Sequence, residues 1–226
     1  MGIAENISRL RKKIPEQVTL VAVSKTMSVA LIQEAYDAGH RVFGENRVQE
    51  MTEKREHLPL DIEWHLIGHL QTNKVKYIVP FVSLIHSVDT LKLLSEINRE
   101  AARVNRKIDC LLQLRIAREE SKFGLQFEDA IQILNSVEYK DFNHIRLTGV
   151  MGMATFTDDE QQIQGEFQRL AQYFKELKAR YFSGDDAFRE LSMGMSDDFE
   201  LAIDAGSTMV RIGTLIFGER NYKREN

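Results

Sequence analysis

The sequence predicts an α/β fold, a single (β/α)8 barrel with an extra N-terminal helix. The first observation behind this prediction is a set of eight short apolar runs spread along the whole chain. The second is that amphipathic helical patterns lie between the runs, so that strand and helix alternate. An open doubly wound sheet fits the same alternation, because the number of strands is hard to fix from one sequence.

The eight runs are short and apolar, as the buried strands of a parallel sheet are. They extend from Thr19 to Val23, Arg41 to Phe43, Glu63 to Ile67, Ser83 to His86, Cys110 to Leu114, Ile145 to Val150, Glu190 to Ser192, and Met209 to Ile212.

Helices are predicted where apolar residues recur at spacings of three and four. The extra N-terminal helix and two later helices are the best defined, through Ile3, Ile7, Leu10 and Ile14, then Leu91, Leu94, Ile97, Ala101 and Val104, and then Ile163, Phe167, Leu170, Phe174 and Leu177. Helix ends have signals too: Ser28 predicts a start and Gly39 an end, and Thr157 to Glu160 predicts a capping box.

The composition bounds the class of protein. The 226 residues, 43% of them hydrophobic, suffice for one large domain with a substantial core. With only three prolines and no low-complexity linker, we expect one domain over residues 1–226. The formal net charge of -4 argues against a nucleic-acid surface, because binding to phosphate backbones needs a clustered basic excess.

The chain also predicts its compartment. Cys110 is the single cysteine, and its apolar neighbours indicate a core residue in a protein of the reducing cytoplasm. The first residues have no basic-then-apolar signal, and no uncharged apolar stretch approaches the roughly 18 residues that cross a bilayer. We therefore expect a soluble cytoplasmic protein that binds no membrane.

Unusual residues follow several predicted strands, where the loops of a barrel gather at its C-terminal face. Lys25 comes directly after the first run, and a lysine near a desolvating barrel mouth can act as an amine nucleophile that forms an imine with an aldehyde. A solvated loop lysine is the ordinary alternative. After the next strand, Asn46 is a candidate to hydrogen-bond a ligand, whereas Glu45 or Asn46 could equally cap the following helix.

Two histidines, one in the third predicted strand and one after it, do not predict a metal site. His65 and His69 are four residues apart, but Gly68 and the strand-like run before it break the helical geometry that a zinc pair needs. We interpret them as residues of the core or the mouth. No GxGxxG, P-loop, GxSxG or paired CxxC motif occurs in the chain.

The last two loops have the composition of a phosphate site. Ser196 and the pair Gly213 and Thr214 would occupy the loops after strands seven and eight, which commonly bind phosphate in barrel enzymes. Asp197 and Asp198 put negative charge next to Ser196, so binding would rest on the hydroxyl and on the Gly213 and Thr214 amides. Ser196 is also expected to cap the next helix.

Arg211 lies inside the last apolar run, where an unpaired guanidinium would be costly to bury. Its partner could be the ring nitrogen of a bound heterocycle or a carboxylate from another strand. The sequence alone slightly favours the carboxylate.

Taken together, these motifs closely resemble the pyridoxal phosphate homeostasis protein family, which is related to the N-terminal barrel of alanine racemase. The motifs that carry the resemblance span nearly the whole chain in order: VAVSKT (21–26), FGENRVQE (43–50), WHLIGHLQTNK (64–74), HSVD (86–89), SKFG (121–124), LSMGMSDD (191–198) and STMVRIGTLIFGER (207–220).

The resemblance implies a cofactor and roles for the candidate residues. It implies that pyridoxal 5'-phosphate (PLP) is held as an imine on Lys25, with Asn46 beside the cofactor. It further implies that Ser196, Gly213 and Thr214 bind the phosphate and that Arg211 faces the pyridine nitrogen. Met27-Ser28 stands where lysine-proline is common, and residues 151–156 replace a loop usually richer in proline. Both departures affect the rim and leave the motifs intact.

Three functions are compatible with these residues. The first, which we expect, is a PLP carrier without substantial turnover that acts in PLP homeostasis, with apo-PLP enzymes as recipients. The second is a PLP-dependent racemase or decarboxylase; alanine racemase, however, resembles this barrel plus a C-terminal domain, and this chain stops at Asn226. The third is a phosphosugar-type enzyme in which Lys25 attacks a carbonyl substrate directly. The missing second domain favours a monomer.

Overall fold

The strands form a closed parallel barrel. The computed structural model describes residues 2–119 and 123–218. In it, eight strands pair in chain order, and β8 closes the barrel against β1. Their bounds are β1 (Thr19–Val23), β2 (Val42–Glu45), β3 (Glu63–Leu66), β4 (Leu84–Val88), β5 (Ile108–Gln113), β6 (Ile145–Met151), β7 (Glu190–Ser192) and β8 (Met209–Ile212). The barrel prediction is confirmed, and the open-sheet alternative is wrong.

Helices surround the barrel, and each strand connects to the next through one or two of them, as parallel strands require. They are α1 (Ile3–Lys13), α2 (Val29–Asp37), α3 (Val48–Arg55), α4 (Val75–Ile78), α5 (Leu91–Arg103), α6 (Phe127–Asn135), α7 (Val137–Lys140), α8 (Glu160–Tyr181), α9 (Phe199–Asp204) and α10 (Thr214–Phe217), with a 3-10 turn at Thr72–Lys74. The extra N-terminal helix is α1. No helix within the described ranges is both long and apolar enough to cross a membrane.

Helix α2 begins and ends at the expected signals, whereas α8 does not begin at its expected cap. Ser28 accepts a hydrogen bond from the Leu31 amide at the start of α2, and Gly39, with φ of 86°, follows its end. The predicted capping box at Thr157 is absent, since Asp159 is the cap and accepts from the Gln162 amide at 3.1 Å. Aspartate caps as well as threonine does, so the helix begins two residues later than the pattern predicted.

The described residues form two apolar clusters. The large one lies between the barrel and its helices and includes the fully buried Cys110, as expected. The small one lies inside the barrel, since its members come from five strands that meet only there: Val21, Leu84, Leu111, Met151 and Met209. Because this cluster fills the middle of the barrel, a ligand on the barrel axis would bind at the strand ends.

Candidate functional site

Five of the six candidate residues lie at the C-terminal ends of neighbouring strands. Lys25 follows β1, Asn46 follows β2, and Gly213 and Thr214 follow β8. These three strands are adjacent, because β1 pairs with β8 on one side and β2 on the other. Ser196 lies in the loop after β7, the other neighbour of β8. Parallel strands end at the same rim, so the fold gathers these residues at one mouth.

Their exposure suits a mouth. Lys25, Asn46, Ser196 and Gly213 are half-buried, and Thr214 is exposed. The backbones approach closely here, because a β-carbon at Gly213 would lie 3.0 Å from the Val23 carbonyl oxygen. Only glycine fits this position without a shift.

Asn46 has a fixed backbone and does not cap a helix. A β-carbon at Gly68 would lie 2.4 Å from the Asn46 carbonyl oxygen, so the β3 loop packs directly on it. The N-cap of α3 is Arg47, which makes no side-chain cap. The alternative prediction that Glu45 or Asn46 caps this helix is therefore wrong.

Arg211 is the sixth candidate and lies inside the barrel, where it is 4% exposed. Its guanidinium donates to Ser192 Oγ at 2.7 Å and to the Gly152 carbonyl oxygen at 3.1 Å. Burial lowers the pKa of Arg211 to about 10, while nearby Asp198 raises it. The hydrogen bonds go to a hydroxyl and a carbonyl, so the carboxylate partner that the sequence slightly favoured is wrong.

The hydrogen-bond chain continues across the barrel. Ser192 Oγ lies 3.1 Å from His86 Nδ1, and His86 Nε2 lies 3.0 Å from His65 Nδ1. Burial lowers the pKa of His65 to about 3 and that of His86 well below its usual value, so both rings are neutral at pH 7.

One assignment of hydrogens satisfies this chain. Arg211 can only donate, so Ser192 Oγ accepts from it and turns its own hydrogen toward His86 Nδ1. His86 then donates from Nε2 to His65 Nδ1, which leaves the His65 hydrogen on Nε2. His65 lines a cavity of about 440 Å³ at the N-terminal ends of the strands. This chain of hydrogen bonds thus fixes the orientation of the Arg211 guanidinium.

Sequence reasoning missed Ser192 and gave His86 no role of its own. Their signal was a polar residue inside an apolar strand, the same signal that singled out Arg211. His65 and His69, in contrast, do not share a site. His69 stacks on Phe123 with ring centroids 4.2 Å apart, and its Nδ1 lies 3.4 Å from Asp89 Oδ2. Within the described ranges, no group of three or more metal-ligating residues occurs.

The loop after β7 differs from the prediction. Asp198 stands at the N-cap of α9, so Ser196 does not cap that helix. The Asp198 carboxylate accepts from the Met195 amide at 2.5 Å, and burial raises its pKa. Asp198 is thus engaged with its own turn, and Asp197 is exposed. Ser196 lies in a groove of about 920 Å³ that also includes Met195 and Leu215.

The arrangement can hold a phosphorylated aldehyde with a ring nitrogen. Lys25 offers an amine, and the loops after β7 and β8 offer small and hydroxyl residues. Arg211 offers a buried cation that already donates to Ser192 and Gly152. Ser121 and Lys122 of the motif SKFG lie outside the described residues, as do Glu219 and Arg220 of the last motif.

The fold and site define a PLP-type barrel of the alanine racemase class. The profile of the family "Alanine racemase, N-terminal domain" matches residues 2–221. The pyridoxal phosphate homeostasis proteins of Aquifex aeolicus and Escherichia coli K12 are each 39% identical to this chain, over 98% and 99% of it and 100% and 99% of their own lengths. The chain belongs to the pyridoxal phosphate homeostasis protein family.

Solved structures agree. PipY of Synechococcus elongatus PCC7942 is 36% identical to this chain, and the match covers 96% of this chain and 100% of PipY. The TM-score is 0.89 for the PipY structure without PLP and 0.87 for the one with PLP bound. Alanine racemase of Clostridium difficile 630 is 14% identical with a TM-score of 0.78 over 98% of this chain and 61% of its own. That likeness concerns the fold alone.

Proposed function

We propose that this protein binds PLP at the barrel mouth through an imine on Lys25 and acts as a carrier in PLP homeostasis. The observation that carries the proposal is that Lys25 and the Gly213 loop meet at one rim, with Arg211 buried in β8 two residues before Gly213. Membership of the PLP homeostasis family and the PLP-bound structure of PipY support it.

Each candidate residue has a role in this proposal. The neutral Lys25 amine adds to the cofactor aldehyde and water leaves, which forms the imine bond. Ser196 and Thr214 offer hydroxyls to the phosphate, and the amides of Gly213 and Thr214 add two donors. Asn46 hydrogen-bonds beside the cofactor ring.

Arg211 sets the electronic character of the site. When bound, PLP supplies an electron sink for carbanion chemistry. A guanidinium that keeps its proton at neutral pH donates to the ring nitrogen and disfavours ring protonation. An unprotonated ring is the weaker sink, which suits a carrier better than an enzyme.

The proposal extends to the state of the protein in the cell. We propose that the chain is one domain, works as a monomer in the cytoplasm and passes PLP to apo-PLP enzymes. Seven large apolar side chains are exposed among the described residues, and two of them, Phe156 and Met195, line the groove that contains Ser196. Four others, Leu60, Tyr77, Val104 and Val137, come from separate segments of the chain, which supports the monomer. Light scattering after gel filtration tests it, and a dimer mass would contradict it.

The test of binding is the visible spectrum followed by borohydride reduction and peptide mapping. We expect a yellow protein whose reduced pyridoxyl adduct lies on Lys25, and no such adduct in Lys25→Ala. Lys76→Ala, which removes an exposed lysine of α4, is the matched control and should bind as the wild type does. An adduct on another lysine would refute the assignment.

A further inference from the structure

A buried ionic cluster lies behind Lys25, on the side of β1 and β2 that faces α3. We call it the Glu45 cluster; it comprises Ser24, Glu45, Glu50 and Lys54. Glu45 is fully buried, and the side chains of Lys54 and Glu50 are 7% and 23% exposed. None of these residues belongs to the site proposed above.

Lys54 is the centre of the cluster. Its ammonium donates to Glu45 Oε1 at 2.7 Å, to Glu50 Oε1 at 2.6 Å and to the Ser24 carbonyl oxygen at 2.7 Å. The Ser24 hydroxyl donates to Glu45 Oε1 at 2.6 Å. All three donor positions of the ammonium are thereby satisfied, which fixes α3 against the end of β1.

The cluster holds both chain neighbours of Lys25. On one side, Ser24 is bound through its hydroxyl and its carbonyl oxygen. On the other side, the Thr26 amide donates to Glu50 Oε1 at 2.5 Å. Lys25 therefore lies on a segment that is anchored at each end.

The anchored segment has an unfavourable backbone conformation. Thr26 has a φ of 66°, in the left-handed region that β-branched residues rarely adopt. Such a conformation persists only where the surroundings impose it. Here the acceptor for the Thr26 amide is the Glu50 carboxylate, which Lys54 in turn holds.

We propose that the Glu45 cluster positions Lys25, with Glu50 as the residue that holds the strained turn and Lys54 as the residue that holds Glu50. This inference rests on the proposed function of Lys25 as the lysine that binds PLP. No member of the cluster is among the residues proposed to bind PLP, so its members are positioning residues. They act by keeping the amine aimed into the mouth.

The test compares Glu50→Ala, Glu50→Gln and Glu53→Ala. Glu50→Ala removes the acceptor for the Thr26 amide, and Glu50→Gln keeps an acceptor oxygen without the charge. Glu53→Ala is the control, since Glu53 is an exposed carboxylate on the same helix. Lys54 keeps Glu45 and the Ser24 carbonyl in each variant, so all three should fold, which far-ultraviolet circular dichroism checks.

The first readout is the affinity for PLP, followed by the absorbance of the imine. Glu50→Ala should bind about tenfold or more weakly, the effect of losing one hydrogen bond to a charged group. Glu50→Gln should recover most of this loss, and Glu53→Ala should match the wild type. Equal affinity in Glu50→Ala and Glu53→Ala would overturn the proposal.

The second readout needs no PLP. Acylation of Lys25 by acetic anhydride in cofactor-free protein, followed by peptide mass analysis across a pH series, reports the reactivity of this amine. We expect the dependence of Lys25 acylation on pH to change in Glu50→Ala and to match the wild type in Glu50→Gln. A change shared by both variants would show that charge alone matters and would overturn the positioning role.

These readouts separate the two proposals. If the wild-type protein forms no reducible bond at Lys25, the proposed function fails. The acylation profiles then still decide whether Glu50 positions the lysine.

Discussion

At the scale of single residues, the site depends on groups whose ionisation the fold determines. Arg211 is buried but keeps its charge, because a hydroxyl and a carbonyl accept its hydrogens. His65 and His86 are neutral, because burial disfavours their protonated forms. Because both imidazoles are neutral, they take part in the hydrogen bonds that orient the Arg211 guanidinium without repelling its charge.

The phosphate should dominate the recognition of the cofactor. PLP should bind about tenfold to a hundredfold more tightly than unphosphorylated pyridoxal, because each lost charge-assisted hydrogen bond is worth about 1.5 to 3 kcal/mol. The measurement is titration of both aldehydes by absorbance. Thr214→Ala should reduce the difference between the two affinities, because it weakens the binding of PLP and leaves that of pyridoxal unchanged. Equal affinities of the wild type for PLP and pyridoxal would contradict the placement of Ser196, Gly213 and Thr214.

Ser192 should matter to Arg211 although it is not among the residues proposed to bind PLP. Ser192→Ala leaves a buried guanidinium hydrogen and His86 Nδ1 without their partner, which should cost about 1 to 3 kcal/mol of unfolding free energy. Urea denaturation measures this loss. Ser8→Ala, in an exposed position of α1, is the control and should change stability by less than about 0.5 kcal/mol.

His40 should make the stability depend on pH. Burial lowers its pKa to about 4, although the Val42 carbonyl opposes the shift, and its Nδ1 is buried without a partner among the described residues. Between about pH 6.5 and pH 4 the unfolded chain binds a proton that the folded chain excludes, so stability falls as pH falls, by up to about 1.4 kcal/mol per pH unit.

The check is urea denaturation of the wild type and His40→Gln across this range of pH. The variant keeps a donor for the Val42 carbonyl and cannot titrate, so its free energy of unfolding should fall less steeply toward low pH. Parallel slopes for the two proteins would mean that His40 is protonated in the folded state.

At the scale of elements, α1 contributes stability and supports the phosphate side of the mouth. Ile3, Ile7 and Leu10 are buried on one face of α1. The Asn6 side chain donates to the Ile216 carbonyl oxygen in α10 at 3.0 Å. Since α10 begins at Thr214, the extra helix packs behind the loop proposed to bind phosphate.

Truncation of a core residue of α1 should therefore destabilise the whole barrel. Ile7 is 1% exposed, and Ile7→Ala should lower the free energy of unfolding by about 2 to 5 kcal/mol. Leu60→Ala is the control, because Leu60 is 81% exposed and should contribute less than about 0.5 kcal/mol. Thermal and urea denaturation measure both, and a loss below 1 kcal/mol for Ile7→Ala would mean that α1 is dispensable.

At the scale of the whole molecule, the protein should hold PLP without substantial amino-acid turnover. Racemisation needs proton donors on both faces of the substrate carbon, and the described mouth provides Lys25 as the one candidate amine beside a permanently charged Arg211. The measurement is solvent deuterium exchange at the alpha carbon across a panel of amino acids, with PLP transfer to an apoenzyme alongside. Exchange at about 1 per second or faster would favour a racemase or decarboxylase instead.

Much of this molecule could be predicted from its sequence. The barrel followed from eight apolar runs, and β1, β7 and β8 have the predicted bounds, because a buried strand must be apolar along its length. The other strands differ by one to a few residues at their ends. The mouth residues were found because polar side chains directly after buried strands have a fixed place in a barrel.

Only the tertiary structure revealed the partners of the buried polar groups. Arg211, Ser192, His86 and His65 lie on four different strands, and barrel closure brings them together. The sequence offered Glu45 as a possible helix cap and gave Lys54 no role, and the two pair because α3 packs on β2. Periodicity along the chain determines which residues are buried, but the contacts between strands and helices determine which charges meet, and that pairing has no period in the sequence.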